Sequence, residues 1–140
     1  MASESALNKW LRKKLKGFGI HWQRIENIAG SGTPDINVCI HGVEHWIESK
    51  EMDAFPKRPE TGVRVSLRQE QIVWLILRWR ADGHGWVLVQ VGREVFLFDG
   101  QYAQELKAGA WDQGRFREMA TATGRIEVPG FLLGEALDEN

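Results

Sequence analysis

The stretch "GTPDINVCIHGVEHWIESK", residues 32–50, constrains the fold more than any other part of the chain. Two runs rich in β-branched residues flank His41 and Gly42, and glycine at the second position of a two-residue turn is what a tight hairpin with positive φ asks for. With His41 and Gly42 at the turn, Ile40 pairs with Val43, Val38 with His45, Ile36 with Ile47 and Asp35 with Glu48. A four-residue loop centred on the same bond leaves these pairs unchanged. Directly opposed residues share a sheet face with Cβ atoms about 5 Å apart, so the carboxylates of Asp35 and Glu48 converge. Side chains alternate along a strand, which places Lys50 on the face of Glu48 and Ile47 on the other.

Two carboxylates this close repel each other unless a proton or a divalent cation lies between them. A cation site with an ammonium beside it is equipped to activate water against a phosphodiester, the metal as Lewis acid and the lysine holding the nucleophile. The structural alternative is an acid pair at a wet sheet end with Lys50 as its salt-bridge partner, an arrangement that contributes little.

The flanking segments supply the rest of an α/β domain. "SESALNKWLRKKLKGFG" is an amphipathic helix with Leu7, Trp10, Leu11 and Leu15 on one stripe, Ser3 or Ser5 as cap and Gly17 or Gly19 as stop. Glu4 falls on that core-facing stripe, away from the basic face. "IHWQRIEN" reads as a strand ended by the Gly30, Ser31, Gly32 turn. The Gly-x-Gly there has the form of a phosphate loop, but Pro34 and a β-branched run stand where the helix should begin. After a loop with Pro56 and Pro59, "SLRQEQIVWLILRWRADG" shows a Ser66/Gln69 capping box, a continuous apolar run from Ile72 to Leu77 that predicts a largely buried helix, and a Gly83 stop. "WVLVQV" and "EVFLFD" flank Gly92 and Arg93 as a second hairpin, and Asp99 caps a short helix through "QYAQELK". The expected order is helix, three strands, helix, two strands, helix around a mixed sheet. All 140 residues read as one domain, with a core of about residues 3–108 and an extension of about 109–140.

Pro34 and Asp35 followed by Glu48, Ser49 and Lys50 resemble the signature of the PD-(D/E)xK nuclease superfamily. The wider pattern "RIEN...GTPDINVC...WIESK...QIVWL" is similar to the stand-alone virus-type replication-repair (VRR-NUC) nucleases of phages and bacteria, over roughly the first 100 residues. That resemblance implies a restriction-endonuclease-like core. It also implies a Mg²⁺- or Mn²⁺-dependent endonuclease acting on branched or structured DNA such as a junction. Asp35, Glu48 and the backbone carbonyl of Ser49 become metal ligands, and Lys50 orients the attacking water. Gln71 matches the glutamine that opens the second core helix, with Arg78 seven residues on along the same face. Family members carry a further glutamate, which here is either Glu4 on the first helix or Glu26 of "RIEN". Ser49 stands where the family more often has leucine or valine. The resemblance further implies a homodimer encoded by a phage or prophage. The alternative from another class is a non-catalytic DNA-binding or structural protein that keeps the fold.

His41, Glu44 and His45 also spell the H-x-x-E-H zinc-protease pattern. That chemistry needs a helix to bring both histidines to one face, and the hairpin denies it. A single cysteine, Cys39, leaves no disulfide framework and no cysteine-based zinc site. No apolar run nears the ~20 residues of a membrane span, and a signal-peptide stretch is not apparent, so an intracellular, cytoplasmic protein is expected.

Net charge is −1, yet basic residues crowd residues 9–24 and 57–80. Such asymmetry suits one nucleic-acid face, with Lys57, Arg58, Arg64, Arg68 and Arg78 as its candidates. Of the seven tryptophans, Trp10, Trp74 and Trp79 are expected in the core, with Trp22 or Trp46 left to exposure. The stretches "EVFLFDG" and "VPGFLLGEAL" are apolar material available for a two-fold interface.

Overall fold

The computed structural model describes residues 4–25 and 32–135. Its elements are α1 (Ala6–Lys14), β1 (Ile20–Arg24), β2 (Ile36–Ile40), β3 (Val43–Met52), α2 (Gln69–Arg80), β4 (His84–Val91), β5 (Glu94–Asp99), a 3-10 turn (Gly100–Tyr102), α3 (Ala103–Ala108), α4 (Gln113–Met119), β6 (Ala122–Thr123) and α5 (Glu127–Leu132). The protein is an α/β domain with one mixed six-stranded sheet in the order β1 to β6, flanked by helices. Only the β3/β4 pair is parallel among the described strands, and its crossover is the segment that carries α2, as parallel neighbours require.

The first hairpin has the register the turn dictates. Ile36 pairs with Ile47, Val38 with His45 and Ile40 with Val43, while His41 and Gly42 both take positive φ, 50° and 86°. Alternation then sorts two cores. On one face Ile36, Val38, Ile40 and Ile47 pack with Leu7, Leu11 and Leu15 of α1 and with Val128 and Leu132 of α5. On the other face Val87, Val89, Phe96 and Phe98 pack with Ile72 and Leu75 of α2, Leu106 of α3 and Phe116 of α4. β4 and β5 are apolar at consecutive positions because both of their faces are covered.

Several expectations need correcting. The cap of α2 is not Ser66; the N-cap is Arg68, whose N–H donates to Oε1 of Gln71 at 2.9 Å. Arginine has no acceptor, so only this half of a capping box exists. The αL residue at the end of α2 is Asp82 (φ 61°), not Gly83. The N–H of Gly83 closes on the carbonyl of Arg78 at 2.9 Å and that of Asp82 on Trp79 at 3.0 Å, a Schellman arrangement. β4 begins at His84, two residues ahead of the run "WVLVQV". α2 is less buried than its apolar run suggests, with Val73, Leu77 and Trp79 exposed. A helix turns about 100° per residue, so six consecutive apolar residues cannot all face one core.

Residues 109–135 are integrated into the domain. Trp111 and Phe116 join one core, Ala122, Val128 and Leu132 the other, and β6 adds to the sheet edge. Much of the apolar material expected to supply an interface is buried here: Val95, Phe96, Leu97 and Phe98 are fully buried, and Val128 and Leu132 face the core from α5, while Phe131 stays exposed and residues 136 and 137 lie outside the described residues. Among the described residues no helix is long and apolar enough to cross a membrane.

Candidate active site

The site forms where β3 outruns β2. The β2/β3 ladder starts at the Ile36–Ile47 pair, so Glu48, Ser49 and Lys50 extend past the head of β2, held on their other side by pairing with Val87, Leu88 and Val89 of β4. Asp35 precedes β2 by one residue, and its Oδ2 accepts from the N–H of Ser49 at 3.4 Å. The Ser49 carbonyl leaves the same edge of β3, because N–H and C=O of one strand residue point to the same side. Gly32 admits the approach: a Cβ there would stand 2.3 Å from the Glu70 carbonyl oxygen, so only glycine lets the chain pass the first turn of α2 on its way to Asp35.

Glu48 is the centre of the cluster and is 2% exposed. Its Oε2 accepts from Nε2 of Gln71 at 3.0 Å and lies 3.5 Å from Nζ of Lys50. The Gln71 amide has one orientation available: Arg68 N–H demands the oxygen, which turns the NH₂ towards Glu48. The other carboxylate oxygen, Oε1, is buried without a protein partner. A buried acceptor left unpaired is costly, and here it sits beside a second carboxylate.

The electrostatics agree with that geometry. Burial, then the negative charge of Asp35, push Glu48 up from 4.5 to about 7, against the opposing pull of Lys50 and Arg68. Asp35 is also raised, by burial; the Ser49 N–H and the charges of Lys50, Arg24 and Arg68 work in the other direction.

An oxygen-only donor set with two carboxylates suits a hard cation such as Mg²⁺ or Mn²⁺. The orphaned Oε1 is what such an ion would satisfy, so the residues fit the group. Among the described residues no cluster of three or more His, Cys, Asp or Glu forms that is able to hold a metal. The donors available are therefore two side chains and a backbone carbonyl.

Asp35, Glu48, Lys50 and Gln71 are thus brought together, with Arg68 near enough for its charge to act on both carboxylates. Glu4 is engaged elsewhere, its carboxylate taking Nε and Nη2 of Arg12 at 3.2 and 2.9 Å. Glu26 lies outside the described residues. Arg78 lays its guanidinium over Trp74 and Trp46, 4.5 and 5.4 Å from the ring centroids, and serves the aromatic wall of α2. Lys57 and Arg58 are exposed on the loop before α2, and Arg64 packs its stem against Gly109. His41 and His45 stay apart from the cluster: the first is in the turn, the second is buried on the opposite sheet face and accepts from Nε1 of Trp86 at 3.0 Å.

One contact was missed in the sequence. The Ser49 hydroxyl donates to Oδ1 of Asn8 on α1, a half-buried bond that ties the helix to the motif strand from behind. The signal was available, since Asn8 is a polar residue flanked by Leu7 and Leu11 on the apolar stripe, and Ser49 is polar where the related motif has an apolar residue.

No family model matches the chain, and no curated protein matches it significantly.

Proposed function

We propose that the protein is a metal-dependent endodeoxyribonuclease of the PD-(D/E)xK type, with a restriction-endonuclease-like core, acting on branched or structured DNA. One observation carries the reading: a buried Glu48 oxygen with no protein partner, next to Asp35 and with Lys50 on the same strand face. A plain surface ion pair would be solvated on both sides and would not keep a carboxylate near neutrality.

Asp35, Glu48 and the Ser49 carbonyl are the residues that would hold Mg²⁺ or Mn²⁺. The ion supplies Lewis-acid polarisation of the phosphate and a lowered pKa for water. Gln71 occupies Oε2 of Glu48 and so leaves the buried Oε1 for the ion. Lys50 donates to the attacking water and offsets charge as that oxygen adds to phosphorus and the ester P–O bond breaks. Lys57 and Arg58, exposed on the loop before α2, and Arg68 at its N-cap supply phosphate contacts.

Incubation with supercoiled plasmid, linear duplex and a four-way junction, in Mg²⁺ or Mn²⁺ and in chelator, tests the assignment. Metal-dependent cleavage with preference for the junction is expected; intact DNA in every condition would overturn it. Symmetric resolution further requires two copies, because one chain holds one Asp35/Glu48/Lys50 site. Light scattering with and without the junction measures such pairing.

A further inference from the structure

The outer face of α2 carries apolar residues that neither core takes up. Val73 and Leu77 are 45% and 58% exposed, and neither belongs to the clusters on the two sides of the sheet. At about 100° per residue they fall on one stripe with Glu70 and Arg80, across the helix from the buried Ile72 and Leu75. The steps between the four, three, four and three residues, are those of the a and d positions of a coiled coil.

The order of the stripe says what it fits. Glu70 and Arg80 stand equally far on either side of Leu75, and so do Val73 and Leu77. When this helix meets a second copy of itself antiparallel, about a two-fold axis at the level of Leu75, each position faces its counterpart. Glu70 then meets Arg80 at both ends, and Val73 meets Leu77 twice in between. A parallel pairing would set glutamate against glutamate and arginine against arginine.

Both the charges and the shape of the surface suit this partner. Arg80 is exposed and, among the described residues, enters no ion pair. Arg68 stands 3.7 Å from Glu70, whose side chain remains 48% exposed. A depression of about 380 Å³ is lined by Gln69, Glu70, Val73, Trp74 and Leu77. Glu70, Val73, Trp74 and Leu77 occupy i, i+3, i+4 and i+7, the four corners of the hole that receives one side chain in helix packing. In the antiparallel register Leu77 of the second copy lies over that hole. Trp74 makes a fixed wall for it, packed against Trp46 with ring centroids 5.2 Å apart and covered by the guanidinium of Arg78.

We infer that the outer face of α2 is the two-fold interface between two copies of this chain, with Val73 and Leu77 at its centre and two Glu70–Arg80 pairs at its ends. The stripe alone carries this pairing, which is independent of the chemistry at Glu48. A single helix pair is a small interface, so the dimer forms at micromolar or higher concentration.

Sedimentation velocity of the full chain from about 1 µM to about 1 mM measures the association. Glu70→Arg and Arg80→Glu each turn both end pairs into like charges, and each is expected to raise the dimer Kd about tenfold or more. An equimolar mixture of the two variants pairs opposite charges again at both ends, and the double variant does so between identical chains. Both are expected to dimerise as the wild type does. Glu70→Gln and Arg80→Gln, which set no charge against the helix dipole, are expected to give a smaller loss, and they stand in for a reversal that thermal melting shows to be unfolded. Leu77→Lys is expected to abolish the dimer. A wild-type chain monomeric over the whole range would overturn the inference, as would a dimer that the reversals leave unchanged or that the mixture fails to restore. Metal-dependent nicking by such a monomer would leave the nuclease reading standing.

Discussion

Replacing Glu48 with glutamine probes the pair without changing its shape. Glu48 has a folded pKa of about 7 against 4.5 for the free group. The folded state therefore binds this proton more tightly than the unfolded state. Its contribution to stability is fully present below pH 4.5 and is lost as pH rises through 7. That displacement corresponds to about 3 kcal/mol. His45 works in the opposite sense. Burial, then His84, lower its pKa from 6.5 to about 4, so its contribution is present above pH 6.5 and lost as pH falls towards 4. The two windows overlap and largely cancel in the wild type, whereas Glu48→Gln leaves the rise from His45 exposed. Urea unfolding in chelator at pH 4, 6 and 8 measures the difference, and any fixed effect of the new amide on Gln71 cancels between pH values. Relative to wild type, the variant is expected to gain about 3 kcal/mol between the lowest and highest pH, roughly 10 °C in Tm. Parallel profiles for the two proteins would show that Glu48 is not held near neutrality, and the argument from its buried oxygen would fail.

Lys50→Ala is expected to lower turnover while Mn²⁺ affinity, measured by titration calorimetry, changes little, because an ammonium cannot ligate a cation. Gln71→Leu removes the donor to Glu48 and the acceptor for Arg68 N–H, so chemical unfolding should show a loss of about 1–3 kcal/mol, together with weaker Mn²⁺ binding. Replacing Lys57, Arg58 and Arg64 with serine should reduce the salt slope of DNA binding by up to about three, read by fluorescence anisotropy across salt concentrations.

Parts of this structure were legible because one local rule fixed many residues at once. A two-residue turn at His41 and Gly42 sets every pair from Ile40–Val43 to Ile36–Ile47, and with them the meeting of Asp35 and Glu48. The tail was illegible for the opposite reason. α4 and α5 have seven and six residues and β6 has two, too few for a period to show. The run from Val95 to Phe98 looked like spare interface because composition does not reveal that β4, β6 and two helical layers surround it. At the site, the place of Lys50 followed from strand alternation, whereas the role of Gln71 came from the resemblance. The unpaired Oε1 is a consequence of three-dimensional packing that no spacing in the chain encodes, whereas the Asn8–Ser49 bond left a trace in two polar residues at otherwise apolar positions. Arg78 and Glu4 each have a partner that the chain's spacing did not announce, the Trp46/Trp74 wall and Arg12.

The central claim is that Asp35 and Glu48 hold a catalytic metal. The most direct measurement is the rate of nicking of supercoiled plasmid as Mn²⁺ is titrated, for wild type and for Asp35→Asn at equal concentrations of folded protein. The account predicts saturable, chelator-sensitive nicking by wild type and none by Asp35→Asn, with DNA binding kept or improved once the negative charge is gone. Nicking by Asp35→Asn at the wild-type rate would contradict it.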